Sequence, residues 1–441
     1  LPKNLILIHL ESLNNVTFEH LREELSNISG LLRSAILYKK YYSSATSTYM
    51  VMSDLFLGTN KAFEKCKKLK EIFSTPVIEH DLFSDLRSSG YATKIYSADV
   101  VGGAEEYVNV YAPNSDKYII SGTSELLVDD IESYITQKSK FAIFLANLES
   151  HLEGYNHLSV DSTDNQCDIF IKRFKKLDEF IGQIMTMLRD SKKDSNTTVV
   201  LYGDHGDDYW GHGIHDGYTH AIEPFPFLIN CPLVIWNVEQ QGTISYELIS
   251  TIDLKNIIKQ ELGLVSPCAV AREYIYSRNL FSGQDTKPEA FNKSYMVSDG
   301  TYSLMVSTRG VRLYCSAIDP LNARNLLDFF KLESGSLHFN SVFYELKSTH
   351  FSSVFNEDII EEITKYYYKL RGALFEEVIR LYGGCKPTDL DFESIDYGFF
   401  SADKQLIGIL NKRRPSTTFR IIVKKILGDY GTKLVKKYLN K

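Results

Sequence analysis

Apolar runs separated by amphipathic segments are the feature that most limits what this chain can fold into. The first, NLILIHL (Asn4–Leu10), has no polar/apolar alternation and suits a strand buried on both faces of a parallel sheet. KFAIFLA (Lys140–Ala146) and TTVVLY (Thr197–Tyr202) read as further buried strands, and YATKIYS (Tyr91–Ser97) and CPLVIW (Cys231–Trp236) as two more. Between them, apolar residues recur at helical spacing in Thr17–Leu32, in YMVMSDLFLG (residues 49–58), in Ser124–Gln137, in Cys167–Leu188 and in Ser250–Leu262. Strand–helix alternation of this kind predicts an α/β fold with a doubly wound, mostly parallel sheet flanked by helices.

The texture changes past about residue 285. Short β-like runs broken by Asp299-Gly300 and Arg309-Gly310 predict a small antiparallel sheet, and Glu357–Tyr382 reads as a helix. The expected organisation is therefore an α/β catalytic core over 1–285, a small β subdomain over 286–350, and a helical extension with a basic tail over 351–441. The tail concentrates charge: Lys412–Lys441 carries ten Lys/Arg against the single acid Asp429, in a chain of net charge −7. That overall balance argues against a general nucleic-acid binder. The amphipathic stretch Thr417–Asn440 fits either peripheral contact with an anionic membrane surface or docking on the protein itself. No run approaches the roughly 20 apolar residues of a membrane span. The six cysteines lie scattered without a CxxC pair, as reduced thiols do. These features favour a cytoplasmic or membrane-peripheral setting. The start at Leu1 without Met leaves open an anchored ectodomain cut from a longer chain.

The chemistry-bearing residues fall where strands end or helices begin. Glu11 follows the first run, and the hydroxyls Thr46, Ser47 and Thr48 lead into a helix. Glu149 and His151 follow the Lys140–Ala146 strand, and Asp204-His205 follow Thr197–Tyr202. Four of the chain's 11 histidines (205, 212, 215 and 220) lie within that last stretch and its loop. Taken singly, each has an ordinary structural use as a cap, surface charge or solvated loop residue. Together they fall at one edge of the predicted sheet, where open α/β sheets bind ligands. Glu11, Asp204 and His205 then supply three donors for a divalent metal. A hydroxyl supplies the fourth and acts as nucleophile, its pKa lowered by the metal.

The ordered motifs LILIHLES, SATSTYMVMSDLFLG, NLESHLEGY, CDIFIKRFKKLDEFIGQI, GDHG, PLVIW before STIDLKNIIKQELG, and DGTYSLM with LYCSAIDPLNARNLL cover roughly residues 4–330. This series resembles the alkaline phosphatase/sulfatase superfamily, in particular its phosphoethanolamine transferase and lipoteichoic acid synthase branch. The resemblance implies Glu11, Thr48, Asp204 and His205 as metal ligands. It makes Thr48, ten residues before Gly58, the nucleophile, with Thr46 and Ser47 as weaker matches. It gives substrate-handling roles to His151 and to His215, with His220 and His212 competing for the second. It also implies one divalent ion, Zn or Mn, because NLESHLEG pairs His151 with Glu149 but offers no Asp for a second metal set.

A sulfatase is disfavoured, since no CxPSR-like motif is present and the first strand ends in Glu-Ser. The implied activity is transfer of a phosphoethanolamine, phosphoglycerol or related phosphoryl group through a phospho-threonine. The donor would be a lipid or an activated nucleotide, and the acceptor a glycan or lipid. A phosphoric ester hydrolase using water is the alternative, and a degenerate binding domain the remaining one.

Overall fold

The computed structural model describes residues 3–61, 63, 71, 80–99, 102–151, 166–207, 220, 223–237, 241–267, 272–280, 293–319, 325–340 and 355–397. The chain forms two compact units, one of residues 1–207 with 220–291 and the other of 208–219 with 292–441.

The first unit is built on an eight-stranded sheet. Its strands are β1 (Asn4–Leu10), β2 (Ala35–Tyr42), β3 (Ala92–Asp99), β4 (Lys117–Ser121), β5 (Phe141–Asn147), β6 (Thr197–Gly203), β7 (Asn230–Trp236) and β8 (Thr243–Ser250), in the order β4-β3-β5-β1-β6-β7-β2-β8. β7 runs antiparallel to both its neighbours, and every other pairing is parallel. The α/β fold with a mostly parallel sheet is the one the apolar runs predict. β1, β5 and β6 are buried at every position, which is why they carry no alternation. Each fully buried Leu or Ile of β1 contributes about 1.5–3 kcal/mol relative to exposure.

Three strands of this sheet lie outside the segments that the sequence marks as strands. β8, at one edge, is largely exposed over its first five residues, β4, at the other, is half-exposed, and β2 carries Lys39 and Lys40 in its middle. None is an apolar run.

The expected single helix Thr17–Leu32 is in fact two, α1 (Asn15–Leu21) and α2 (Ser26–Leu31). The break has a physical cause. Asp178, on the long helix Gln166–Asp190, accepts the backbone N–H of Asn27 (3.0 Å) and of Ile28 (2.8 Å), so a new helix start is capped from across the packing interface. α3 (Thr48–Leu57) ends at Gly58, whose φ of 68° supplies the left-handed cap. Asp54, in the second half of α3, forms a buried pair with Arg278 (2.5 Å), which also donates to Ser44 O (3.2 Å). The segment leading into α3 is thereby fixed to the scaffold.

In the second unit Ser294–Ser298, Tyr302–Ser307 and Gly310–Cys315 pair antiparallel, as the two Gly turns predict. The helix Glu357–Leu381 buries Ile363, Tyr367, Leu370, Leu374 and Val378. The expected boundaries at 285/286 and 350/351, and the basic tail at 417–441, lie outside the described residues. Among the described residues no helix is long and apolar enough to cross a membrane, and Cys231, Cys315 and Cys385 are free thiols.

Candidate active site

Strand register brings the first acids together. β1 and β6 are adjacent and parallel with Leu10 opposite Gly203, so Glu11 and Asp204 leave the sheet side by side. The GDHG turn that follows has room for little else. A Cβ on Gly203 would lie 2.4 Å from the Leu13 carbonyl oxygen, and one on Gly206 would lie 2.7 Å from Asn14. Both glycines are required by close approach of the loop after β1. Ser12 adopts φ 61°, a left-handed conformation uncommon for a serine, and in it the Ser12 N–H donates to Asp204 Oδ1 (3.1 Å). Its hydroxyl donates to Glu11 Oε1 (3.0 Å).

Thr48, at the N-terminus of α3, meets this pair. Its hydroxyl lies 3.2 Å from Glu11 Oε2 and 3.1 Å from His205 Nε2. The two neighbouring hydroxyls go elsewhere. Thr46 donates toward Asn279 Oδ1 (3.4 Å), and buried Ser47 Oγ has no hydrogen-bond partner among the described residues. Glu11, Asp204 and His205 are all fully buried.

A second group borders the first. His220 Nδ1 lies 2.9 Å from Asp207 Oδ1, and its Nε2 lies 3.3 Å from His151 Nε2. The His220 ring stacks on His205 with centroids 4.4 Å apart. His151 is held by its backbone: Arg173 donates to the carbonyls of Ser150 (3.2 Å) and His151 (2.5 Å), and the Ser150 hydroxyl donates to Glu11 O (2.8 Å). Glu149 does not join. Its carboxylate accepts the N–H (3.0 Å) and hydroxyl (2.5 Å) of Ser124. His215 and His212 lie outside the described residues.

Two further residues join the site, neither of them marked by a sequence motif. Asp207 orients His220. His9, on β1, is fully buried, with Nε2 3.3 Å from Glu11 Oε2 and 3.2 Å from Asp204 Oδ2. Within an apolar run a histidine reads as core, so only its i, i+2 relation to Glu11 on the same strand face could have marked it.

The electrostatics are those of a floor that lacks counter-charge. Burial, then the neighbouring Asp204, pushes the Glu11 carboxyl well above its ordinary range. Burial also opposes ionisation of Asp204, but His205 and His9 outweigh it and hold that carboxyl below the usual range. Burial takes the His205 imidazole down to about 4, and burial with the nearby His220 takes His151 to about 3, so both rings are neutral at neutral pH. Asp207 is buried as well, yet His220 draws its carboxyl downward.

Asp204 Oδ2 accepts no hydrogen bond among the described residues although it is buried, and it lies 3.2 Å from His205 Nε2. An orphaned carboxylate oxygen of this kind is accounted for by an ion. The separations Thr48–Glu11 (3.2 Å), Thr48–His205 (3.1 Å), His205–Asp204 (3.2 Å) and His205–Glu11 (3.7 Å) bracket the roughly 3.3 Å between donors around a small divalent ion at about 2.0 Å. The residues present fit a divalent cation. The donor atoms of Glu11, His151 and His220 form a second set, all within 4.8 Å of one another.

A family model described as Sulfatase matches residues 3–259 of the chain. The chain belongs to the sulfatase family. Its fold is shared with a 2-O GAG sulfatase (TM-score 0.63, 14% identity, covering 89% of this chain and 95% of that one). It is shared too with the phosphonate monoester hydrolase of Agrobacterium radiobacter (TM-score 0.53, 12% identity, 74% and 91%). The lipoteichoic acid synthase LtaP from Listeria monocytogenes is a third (TM-score 0.50, 16% identity, 69% and 82%). At such identities the likeness is one of fold. No curated protein matches the chain. Membership of the sulfatase family carries with it the superfamily's use of a divalent metal.

Proposed function

We propose that the protein is a metal-dependent phosphotransferase. It moves a phosphoethanolamine-, phosphoglycerol- or related phosphoryl group to a glycan or lipid acceptor through a phospho-Thr48 intermediate. The observation that carries this reading is the isolation of Thr48: of three consecutive hydroxyls, it is the one set against Glu11 and His205. The fold is common to sulfatases, a phosphonate hydrolase and a lipoteichoic acid synthase, so fold does not choose among them. The residue types support transfer. Threonine stands where a sulfatase needs an oxidisable Cys or Ser, with Glu11 and His205 at its hydroxyl.

Glu11, Thr48, Asp204 and His205 would hold the cation, Zn or Mn. When bound, it supplies a Lewis acid that favours ionisation of the threonine hydroxyl and offsets charge on the phosphoryl oxygens. Thr48 Oγ1 attacks phosphorus, an Oγ1–P bond forms, and the bond from phosphorus to the donor alcohol oxygen breaks. Thr48 is the first residue of α3, so the positive end of the helix dipole favours the developing negative charge. His220 manages the protons. With its Nδ1–H donated to Asp207, Nε2 is left as an acceptor beside His151. It takes the proton released at Thr48 and returns it to the leaving alcohol. In the second half it takes the proton of the acceptor hydroxyl, whose oxygen attacks phosphorus as the Oγ1–P bond breaks, and it passes that proton to the departing Thr48 Oγ1.

Turnover of a bis(4-nitrophenyl) phosphate probe with and without added glycerol, glycans or lipid alcohols tests the transferase reading. Products carrying the acceptor, with rate rising on its addition, support it. Release at full rate to water alone would overturn it in favour of a hydrolase with the same residues. We extend the proposal to peripheral membrane contact through 417–441, checked by co-sedimentation with anionic vesicles before and after removal of that segment.

A further inference from the structure

We propose that His9 is a direct ligand of the cation through Nε2, so that the site holds its ion with two imidazoles, His9 and His205, rather than one. This rests on the reading of Glu11, Thr48, Asp204 and His205 as a cation site, and it extends that set by a residue from inside the strand.

Position comes first. His9 and Glu11 lie two residues apart at the end of β1 and so project to the same face. His9 pairs in register with Tyr202 on β6, and the two rings stack with centroids 5.9 Å apart and planes at 28°. The ring is thus held from the side while its Nε2 faces the carboxylates.

Contact decides between a ligand and a simple hydrogen-bond donor. Nε2 stands at ion-pair distance from both carboxylates, 3.3 Å from Glu11 Oε2 and 3.2 Å from Asp204 Oδ2, without the alignment of a hydrogen bond to either, and the donor atoms of His9, Glu11 and Asp204 all lie within 4.8 Å of one another. A fully buried imidazole with no well-aligned hydrogen bond is costly, and buried polar atoms are nearly always satisfied. Asp204 Oδ2 is orphaned in the same way. Two unsatisfied donors facing each other at 3.2 Å have the spacing that one first-row ion imposes on its ligands, about 3.3 Å. Asp204 Oδ2 lies 3.2 Å from His205 Nε2 as well, and so sits between the two imidazoles.

Charge points the same way. Two buried carboxylates neutralise a divalent ion, and further ligands in so dry a place must add donor strength without adding charge. A neutral imidazole does that. Two nitrogen donors also move the site from an oxygen-rich set, which suits Mg or Mn, toward one that suits Zn. The inference therefore selects zinc from the two ions considered above.

The test is X-ray absorption of the zinc-loaded protein, which counts imidazoles bound to the metal, applied to the wild type, His9→Gln and His220→Ala. The expected result is two imidazoles in the wild type, one in His9→Gln and two in His220→Ala. Chelator competition should show zinc held about 10–100-fold less tightly in His9→Gln, with the preference for zinc over manganese reduced. Circular dichroism establishes that each variant is folded. Should His9→Gln fail to fold, the wild-type and His220→Ala counts still decide. One imidazole in the wild type, or loss of an imidazole in His220→Ala in place of His9→Gln, overturns the assignment of His9 alone. A wild type that binds no zinc overturns both this inference and the cation site beneath it.

Discussion

The tripeptide Leu-Glu-Ser occurs at the ends of two neighbouring parallel strands, as Leu10-Glu11-Ser12 after β1 and as Leu148-Glu149-Ser150 after β5. The two glutamates do opposite things. Glu11 is fully buried, faces Thr48, and is flanked by His9 and by a serine in the left-handed conformation. Glu149 is partly exposed and turns back to Ser124, with Asn147 Nδ2 donating to it (3.1 Å). The residue before each tripeptide, His9 or Asn147, and the conformation of the serine after the glutamate separate the two. A motif at a strand end therefore specifies a position at the sheet's edge, and the surrounding side chains specify a role. The turns still act together, since Ser150 donates to the Glu11 carbonyl and its neighbour His151 completes the site.

The largest expected consequence of this contrast lies in catalysis. Glu11→Gln should lower turnover by about 10³-fold or more, as loss of a metal ligand does, whereas Glu149→Gln should remain within a few-fold of wild type. Equal losses in steady-state assays would break the distinction. The next largest effect reverses the order. Glu149→Gln should cost about 1–2 kcal/mol of stability in urea unfolding, because Ser124 and Asn147 lose a charged partner. Glu11→Gln, which removes an uncompensated buried acid, should leave the metal-free protein as stable or make it more so.

A third effect concerns the histidine that follows the second tripeptide. His151 is neutral in the folded protein down to about 3, against 6.5 for an ordinary histidine. Between those values the unfolded chain holds the extra proton, so this group's contribution to stability rises with pH and is lost on acidification from 6.5. In metal-free protein, His151→Gln should flatten the dependence of unfolding free energy on pH by about 1.4 kcal/mol per pH unit across pH 4–6. An unchanged slope would contradict the burial assigned to His151. The smallest effect belongs to the serines. Ser12→Gly should change stability by less than about 1 kcal/mol, since glycine accepts φ 61°, while Ser12→Val should cost about 1–3 kcal/mol.

The same contrast marks what was legible in the sequence. Runs buried on both faces, such as Asn4–Leu10, announce their strands, and from the strands follows the edge at which Glu11, Thr48 and Asp204-His205 gather. The exposed edge strand β8 and the lysine-bearing β2 make no such pattern, because alternation and charge there reflect solvent contact rather than a change of fold. The break between α1 and α2 depends on Asp178, some 150 residues away, and no local pattern encodes it. The resemblance places His215 ahead of His220 as substrate histidine. The described geometry brings His220 to His151, and His215 lies outside it. His9 is hidden by its apolar neighbours, and the tripeptide itself does not separate Glu149 from Glu11.

The central claim is that Thr48 carries the transferred group. It is tested by incubating the metal-loaded protein with bis(4-nitrophenyl) phosphate, quenching in acid, and locating added mass among the peptides. The account predicts a phospho-adduct on Thr48, absent from Thr48→Ala together with all but a trace of the turnover, while Thr46→Ala and Ser47→Ala retain both. Full turnover in Thr48→Ala, or an adduct on another residue, would contradict it.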